Sequence, residues 1–349
     1  ELGHHLRMLF VALSIAASLV PLARSYQLAS GAAALPPVKS NVKLFQCSDG
    51  RNIGYAEYGS PAGQPVVAFH GLLTSHIWAE FLDQEARNAD PPLRIISVDM
   101  PGAGDSSPSP DFTLDELAKD TIALLDSLNI DTFVALGLSA GGSPALTLAA
   151  LYPDRTIGAV LAAPSTPIRS VRGFGLLPTI LLQFDRFLSK AADTFSRNAD
   201  QVREGNVEEL LGGAPKGGRG GDAKEETPAL VKVRGDPALK ALFVDDICYS
   251  FKQRRAFAMA GLKYLRGRFP FKVRCVRRPV TIIYGTNDTV QPIKMHKWLA
   301  KKLPNCKLIA IDDETHFLYI SRPDAIVREC SLLWQMATEK KQETPTQVA

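Results

Sequence analysis

Short apolar runs alternate along most of the chain with longer segments whose apolar residues recur at helical spacing. The runs PVVAFHG (65–71) and LRIISVDMPG (93–102) are rich in β-branched residues and end in glycine, which is typical of buried strands. The runs TIGAVLAAP (156–164), RPVTIIYGTND (278–288) and CKLIAIDD (306–313) follow a similar pattern. Strands that alternate with helices predict an α/β fold, in which helices cover both faces of a mostly parallel central sheet.

The pattern also predicts how the sheet begins and how one helix is capped. VKLFQCSD (42–49) and NIGYAEYG (52–59) alternate apolar and polar residues on either side of Gly50, which predicts an antiparallel hairpin. A helical apolar stripe follows Thr113, a good N-cap residue, and Glu116 stands at the position of the capping-box acid. The sequence therefore predicts a capped helix after the second of the parallel strands.

The interval 165–277 breaks this alternation. Helical patterns dominate it at 176–195 and 236–265, and a glycine-rich polar stretch at 212–226 has almost no apolar side chain to bury. We therefore interpret the interval as a helical cap with a mobile loop, inserted between two halves of the sheet domain. The predicted organisation is a targeting segment and linker (1–40), a first core segment (41–164), the cap (165–277), a second core segment (278–338) and a polar tail (339–349).

The N-terminal segment has the pattern of a targeting signal rather than of part of the fold. An uncharged apolar stretch from Met8 to Ala23 lies between Arg7 and Arg24, and it is shorter than the ~20 residues that a membrane-spanning helix needs. This pattern predicts a signal peptide, and hence the secretory pathway or the extracellular space. Residues 2–48 contain no acidic residue, which is also typical of transit peptides, so a plastid or another organelle is the alternative address.

Composition narrows the classes of function. The chain has 349 residues, of which 46% are hydrophobic and 22% charged, which is ordinary for a globular protein of enzyme size. Its 40 basic and 36 acidic residues give a net charge of +4, which is too balanced to imply binding to nucleic acid. The sequence has no dinucleotide or P-loop fingerprint and no C-x-x-C spacing, so it implies neither a nucleotide cofactor nor a zinc or redox site.

One hydroxyl occupies the sharpest predicted turn. In FVALGLSAGGSPALTLAALYP (133–153) an apolar strand runs directly into a helix, and Ser139 stands between Gly137 and Gly141. A turn this tight strains the backbone, and the two glycines remove the side chains that would clash. The hydroxyl would then stand above the sheet at a helix N-terminus, where unpaired N–H groups favour a developing negative charge. This placement points to a nucleophilic serine.

A nucleophilic serine requires a base, and histidine has a suitable pKa. Of the six histidines, His316 follows the last predicted strand on a loop from which its ring can reach Ser139. The others lie in the targeting segment, at a strand end, in a loop, or on an amphipathic helix where a packed or solvated role is favoured: His4, His5, His70, His76 and His296.

The histidine in turn needs a carboxylate that fixes its tautomer. Asp288 ends the strand in YGTND, at the carboxyl edge of the sheet where open α/β folds place their sites. Asp312 and Asp313 are nearer to His316 in sequence and compete for this role, but neighbours on one strand end seldom face the same partner. We therefore favour Asp288, which gives the chain order Ser139, Asp288, His316.

The order of these motifs resembles the serine-nucleophile branch of the α/β-hydrolase fold superfamily over residues 42–338. GLSAGG is similar to the family's nucleophile elbow, YGTND to its acid turn and THF to its histidine loop. FHG (69–71) resembles the family's oxyanion turn, which implies that the backbone N–H groups of Leu72 and Ala140 form an oxyanion hole. VDMPGAGDSS (98–107) resembles a further family loop, with methionine in place of the usual arginine.

The resemblance implies a serine hydrolase that cleaves a carboxylic ester, a lipid ester or an amide through an acyl-enzyme, with esters favoured over amides. His316 would take the proton as Ser139 attacks, and no metal or organic cofactor is required. A serine at the elbow disfavours the haloalkane dehalogenase and epoxide hydrolase branches, which use a carboxylate nucleophile. The alternatives are an acyltransferase or lyase on the same residues, or a binding protein without turnover.

A basic run in the predicted cap is the remaining signal. From Lys252 to Arg278 there are ten basic residues and no acidic one, and aromatic residues are interleaved with them. One interpretation is a solvated helix face whose acidic partners lie elsewhere in the fold. The other is peripheral contact with an anionic lipid surface, because each basic residue near such a surface contributes about 1 kcal/mol.

Overall fold

The computed structural model describes residues 41–109, 111–170, 184–212 and 226–343. The predicted targeting segment lies outside these residues, as do most of the glycine-rich stretch and the end of the polar tail. What the sequence predicts for those segments stays a prediction.

The central feature of the fold is a single mixed sheet. Its strands are β1 (Lys43–Gln46), β2 (Asn52–Gly59), β3 (Gln64–Phe69), β4 (Leu93–Val98), β5 (Phe133–Leu138), β6 (Thr156–Ala162), β7 (Val280–Gly285) and β8 (Cys306–Ile311). They lie in the order β1-β2-β4-β3-β5-β6-β7-β8. β1 pairs antiparallel with β2 and β2 pairs antiparallel with β4, which confirms the predicted hairpin. The pairs from β4 to β8 are parallel, which confirms the predicted fold class.

In the described residues, helices cover the sheet and make up most of what is described between β6 and β7. In the described residues the α-helices are α1 (Asp83–Asn88), α2 (Leu114–Ser127), α3 (Gly142–Leu151), α4 (Asp185–Arg203), α5 (Glu208–Leu211), α6 (Pro228–Gly235), α7 (Pro237–Ser250), α8 (Arg255–Leu265), α9 (Ile293–Lys302), α10 (Leu318–Ser321) and α11 (Pro323–Glu343). Helices α4 to α8 lie between β6 and β7, where the helical insertion was predicted, and α8 packs on α4. The domain boundaries stay predictions, and α11 continues into the segment predicted as a polar tail.

Helix α2 begins as its sequence predicts. Thr113 Oγ1 accepts the Glu116 N–H at 3.4 Å, and the Glu116 carboxylate accepts the Thr113 N–H at 2.9 Å, so the capping box is formed. Leu117, Leu124 and Leu125 are buried in the core cluster that also contains Phe133 of β5. The predicted apolar stripe therefore packs α2 onto the sheet.

Both faces of the sheet are buried along β3 to β7, which explains why these parallel strands are continuous apolar runs. Along β5, Val134 and Leu136 belong to one core cluster, whereas Phe133 and Ala135 belong to the other. Because the parallel strands run in one direction, their carboxyl ends meet at one edge. The loops after β3, β5, β6, β7 and β8 gather at that edge.

Two further properties concern membrane spanning and disulfide bonds. None of the helices in the described residues combines the length and the apolar character that a membrane-spanning helix needs. The five cysteines, all of which are described, are free thiols.

Candidate active site

Ser139 lies at the turn that joins β5 to α3. Its φ of +47° falls in the left-handed region that side chains disfavour, and a 3-10 turn over Ser139–Gly141 leads into the helix. A Cβ atom on Gly137 would stand 2.3 Å from the Gly141 carbonyl oxygen, and one on Gly141 would stand 2.1 Å from the Phe69 carbonyl oxygen. Both positions therefore require glycine, as the elbow motif predicts.

Three predicted side chains form one hydrogen-bonded chain at this edge of the sheet. The Ser139 hydroxyl oxygen lies 2.9 Å from Nε2 of His316, and Nδ1 of the same ring lies 2.9 Å from Oδ2 of Asp288. With its proton on Nδ1, the ring donates to the carboxylate and its Nε2 accepts from the hydroxyl. A nucleophile, its base and an orienting acid require this order of groups. The structure thus brings the three residues together, and their catalytic roles stay predictions.

Asp288 is held as a carboxylate by its surroundings. Its side chain is buried, and its Oδ1 accepts the N–H groups of Val290 at 2.7 Å and Gln291 at 2.9 Å. Burial alone would raise the pKa of Asp288, but attraction to His316 and the hydrogen bonds that it accepts hold this pKa below its ordinary value. The Asp288 carboxyl group is therefore ionised and oriented toward His316.

The two competing acids lie outside this chain of hydrogen bonds. Asp312 and Asp313 are exposed in the turn after β8, and among the described residues neither carboxylate bonds to His316. The backbone N–H of Asp313 donates to Thr286 Oγ1 at 3.1 Å, and its φ of +60° reflects the sharp turn that leads toward His316. The geometry therefore agrees with the preference for Asp288.

The turn after β3 packs against Ser139. His70 is buried in this turn, where its Nδ1–H donates to the Gly71 carbonyl oxygen at 2.7 Å and its Nε2 accepts the Met100 N–H at 2.8 Å. Burial lowers the pKa of His70 to about 4, so the neutral ring can fill both roles. A Cβ atom on Gly71 would stand 3.3 Å from Ser139 Cβ. His70 thus fixes the predicted oxyanion turn beside the serine.

The predicted oxyanion donors meet a helix of the insertion. Leu72 lies in the turn after β3, and its N–H finds no acceptor among the described residues. Ala140 follows Ser139, and its carbonyl oxygen accepts the Tyr264 hydroxyl from α8. Leu72 also meets α8, because a Cβ atom on Gly261 would stand 2.1 Å from Leu72 Cδ1. The role of the two N–H groups stays a prediction, but one helix contacts both residues that carry them.

Comparison with known proteins identifies the family. A family model described as alpha/beta hydrolase fold matches residues 64–323, which is more than half of the chain. The chain belongs to the α/β-hydrolase fold family. The matched region of this α/β hydrolase includes Ser139, Asp288 and His316, and it spans the sheet from β3 to β8.

Similar proteins carry hydrolase names. The chain is 26% identical over 292 residues to an uncharacterized hydrolase, YugF, of Bacillus subtilis (strain 168), covering 80% of this chain and 92% of that protein. It is 27% identical over 270 residues to a poly(3-hydroxyalkanoate) depolymerase of Ectopseudomonas oleovorans, covering 77% and 83%. The solved structure of an enol-lactonase from Burkholderia xenovorans LB400 has a TM-score of 0.61 at 17% identity, covering 82% of this chain and 98% of that one, which shows the shared fold. These relatives support a hydrolase.

The structure of this α/β hydrolase adds two residues that the sequence analysis missed. Ser165 places its hydroxyl oxygen 3.3 Å from that of Ser139, and its N–H donates to the Ser139 carbonyl oxygen at 2.7 Å. Tyr264 bonds the elbow at Ala140. The sequence pattern could have indicated Ser165, because it follows the carboxyl end of the parallel strand β6, where residues face the site. Tyr264 has no such signal, because it belongs to a helix far away in sequence.

Two other histidines near this edge are packed in the α/β hydrolase. The Nδ1 atom of buried His76 lies 2.8 Å from Oδ2 of Asp99. His296 is buried on α9 against the Tyr284 ring, with centroids 5.3 Å apart, and neither of its ring nitrogens has a hydrogen-bond partner in the described residues. Within the same residues, no three or more His, Cys, Asp or Glu side chains are grouped so that they could hold a metal ion.

Proposed function

We propose that this chain is a serine hydrolase that cleaves an ester bond, with Ser139 as nucleophile, His316 as base and Asp288 as the acid that orients the base. The observation that carries the proposal is the continuous chain of hydrogen bonds, 2.9 Å from Ser139 to His316 and 2.9 Å from His316 to Asp288. The hydrolase names among its relatives support the same class.

The proposed reaction has two steps. Ser139 Oγ attacks the ester carbonyl carbon while its proton passes to Nε2 of His316, and the N–H groups of Leu72 and Ala140 hold the resulting oxyanion. Collapse of this intermediate breaks the bond to the leaving oxygen, which takes the proton from His316 and departs as an alcohol. A water molecule, deprotonated by His316, then attacks the acyl-enzyme carbonyl carbon. Collapse of this second intermediate breaks the bond to Ser139 Oγ, which takes the proton back from His316 as the carboxylic acid leaves.

We propose esters ahead of amides because of the leaving group. An alkoxide leaves a tetrahedral intermediate more readily than an amide anion does, so cleavage of an ester depends less on the proton from His316 than cleavage of an amide does. The elbow carries a hydroxyl rather than a carboxylate, so the covalent intermediate is an acyl ester of Ser139. The substrate class is therefore a small-molecule or lipid ester.

A fluorophosphonate probe and p-nitrophenyl esters test the nucleophile. Wild-type protein is expected to be labelled and to hydrolyse the esters, and Ser139→Ala is expected to lose both properties while keeping the thermal unfolding midpoint. Ser165→Ala is the matched control, because its hydroxyl oxygen lies 3.3 Å from Ser139 Oγ and has no hydrogen bond to His316 among the described residues. The control is expected to keep its labelling.

Other outcomes would assign other functions. Labelling that persists in Ser139→Ala would contradict the choice of nucleophile. A panel of acyl esters of increasing chain length, run beside peptide amides, measures the substrate preference. Transfer of the acyl group to an added alcohol in preference to water would indicate an acyltransferase, and labelling without turnover of any ester would indicate a binding protein.

A further inference from the structure

The basic residues at the end of the predicted cap continue along the chain into helix α9. Between Arg266 and Lys302 the sequence contains ten lysine and arginine residues and one acidic residue, Asp288. Asp288 is buried and bonded to His316, so it does not neutralise surface charge. Arg266 pairs with Asp185, and the other nine cations of this stretch form no ion pair within the described residues, although the whole chain carries a net charge of only +4.

Part of this charge lines a groove, which has a volume of about 650 Å³. The groove brings together the segment after β6, the segment after α8 and helix α9. Five of its lining side chains are cationic, and all five are exposed: Arg169, Arg268, Lys272, Arg274 and Lys302.

Several cations of the basic run have acidic partners, whereas the five groove cations have none within the part of the chain that the structure describes. Four cations of the run pair with acids from other segments: Lys252 with Asp105, Arg254 with Asp200, Lys263 with Asp111, and Arg266 with Asp185. Within the described residues, none of the five groove cations forms an ion pair. The interpretation of the run as a solvated face with distant acids thus holds for those four residues. Five further cations of the run form no ion pair within the described residues. Three of them, Arg268, Lys272 and Arg274, line the groove, and the other two are Arg277 and Arg278.

Backbone and ring contacts hold the walls of the groove. The Phe269 N–H donates to Ser170 Oγ at 2.6 Å, which ties the segment after α8 to the segment after β6. The rings of Phe269 and Phe271 pack with centroids 4.8 Å apart, and the Lys302 ammonium lies 6.0 Å from the centroid of the Trp298 ring. Proteins place aromatic and cationic side chains together where they meet lipid headgroups.

Helix α9 extends the charged surface beyond the groove. Lys294 and Lys301 are exposed, and their spacing from Trp298 places the three residues on one face of the helix. An extended array of exposed cations is complementary to a surface of many negative groups. A single enclosed anion would instead require converging, buried donors, which this open groove lacks.

The groove also lies close to Ser139. Ser165 Oγ is 3.3 Å from Ser139 Oγ, and Arg169 of the groove follows Ser165 by four residues. Four residues of fully extended chain span at most about 14 Å. The Arg169 end of the groove therefore lies within about 14 Å of Ser165, which contacts Ser139.

We propose that this groove docks the protein on anionic lipid bilayers. Headgroup phosphates and carboxylates pair with the five groove cations, while the half-buried rings of Phe271 and Trp298 lie at the headgroup level. The docking does not depend on the proposed hydrolase activity, because it rests on charge and aromatic side chains outside the chain of hydrogen bonds at Ser139.

Co-sedimentation of the full chain with vesicles tests the docking. Vesicles of phosphatidylcholine alone are compared with vesicles that also contain phosphatidylserine. The readout is the partition coefficient on the anionic vesicles divided by that on the neutral vesicles. Binding that is purely apolar is equal on both and cancels in this ratio. Each basic residue near an anionic surface raises partitioning about fivefold, so Arg268→Gln/Lys272→Gln/Arg274→Gln is expected to lower the ratio about a hundredfold. Added salt should lower the wild-type ratio as well.

The matched control is Lys119→Gln/Lys190→Gln/Lys232→Gln, which removes the same net charge from exposed lysines that do not line the groove. The control is expected to keep the wild-type ratio, and both triple variants are expected to keep the wild-type unfolding midpoint. A wild-type ratio near one, or an equal loss in both triple variants, would overturn the proposal. So would displacement from anionic vesicles by inorganic phosphate at constant ionic strength, which would indicate a discrete phosphate site. Binding to a single-stranded oligonucleotide as tight as to the vesicles would also overturn it.

Discussion

At the scale of single residues, Ser139 combines a disfavoured backbone conformation with a side chain that has two polar neighbours. Its φ is +47°, and its hydroxyl oxygen lies 2.9 Å from His316 Nε2 and 3.3 Å from Ser165 Oγ. Strain of this kind costs about 1–3 kcal/mol and persists only where the surrounding fold determines the turn. The strained turn fixes the direction of the hydroxyl, so Ser139 is oriented toward His316, its proposed base, before substrate arrives.

The choice between the candidate acids is a residue-scale prediction. Asp288→Asn is expected to lower kcat for ester hydrolysis by up to about four orders of magnitude, the size of the effect in the Ser-His-Asp template, because an amide does not hold the required tautomer of His316. Asp313→Asn is the control, since that side chain is exposed, and its kcat is expected to stay near the wild-type value. Steady-state kinetics on a soluble ester measures both variants. A larger loss in Asp313→Asn would assign the acid to the loop after β8.

At the scale of elements, the loops after β7 and β8 fix the positions of Asp288 and His316 relative to each other. The Asn287 N–H donates to the Glu314 carbonyl oxygen at 2.9 Å. The two backbones approach so closely that a Cβ atom on Gly285 would stand 2.1 Å from the same carbonyl oxygen. Contacts between backbones therefore set the separation of Asp288 and His316, and the side chains need little adjustment to meet.

This close approach predicts the effect of one added methyl group. Gly285→Ala is expected to lower the free energy of unfolding by about 1–3 kcal/mol, because a backbone oxygen cannot move aside as a flexible side chain can. It is also expected to lower kcat, since the loop that carries His316 must shift. Gly235→Ala is the control, because a Cβ atom there meets nothing within 4 Å at the end of α6. Urea unfolding and ester kinetics measure the two effects, and wild-type stability in Gly285→Ala would contradict the predicted clash.

At the scale of the whole molecule, the features that the sequence predicted are those that local patterns encode. The capping box at Thr113, the elbow at Ser139 and the apolar strands each depend on residues within a few positions of one another. The preference for Asp288 over Asp313 required one global rule, that the carboxyl ends of parallel strands share an edge. The observed hydrogen bond between Asp288 and His316 agrees with that rule.

Contacts between distant segments could not be predicted in the same way. The Tyr264 hydroxyl reaches the Ala140 carbonyl oxygen across 124 positions, and no periodicity encodes such a contact. Which cations of the basic run form ion pairs could not be predicted either. Arg266, for example, pairs with Asp185, which lies on helix α4. Which cations keep an unpaired charge depends on how the helices pack, and so the groove could be located only from the structure.

Buried ionisable groups make the stability of the whole molecule depend on pH. Burial lowers the pKa of His70 and of His296 from 6.5 to about 4. The folded protein therefore binds these protons less tightly than the unfolded chain does, and stability is lost as the pH falls from about 6.5 toward about 4. Asp246 acts in the opposite direction: burial raises its pKa well above the ordinary value, so its contribution to stability increases as the pH falls. The net slope is the sum of opposing contributions.

Replacement of His296 isolates one of these contributions. A buried neutral histidine lowers the free energy of unfolding by about 1.4 kcal/mol for each pH unit below its unfolded pKa. Between about pH 6.5 and about pH 5 the loss is about 2 kcal/mol. His296→Phe removes this part of the slope and leaves His70 and Asp246 in place. It is expected to cost little near neutral pH, because neither ring nitrogen of His296 has a partner among the described residues. Urea unfolding at a series of pH values should give curves that meet near neutrality and separate by about 2 kcal/mol at about pH 5, with the variant more stable. Parallel curves would show that His296 takes up no proton on unfolding.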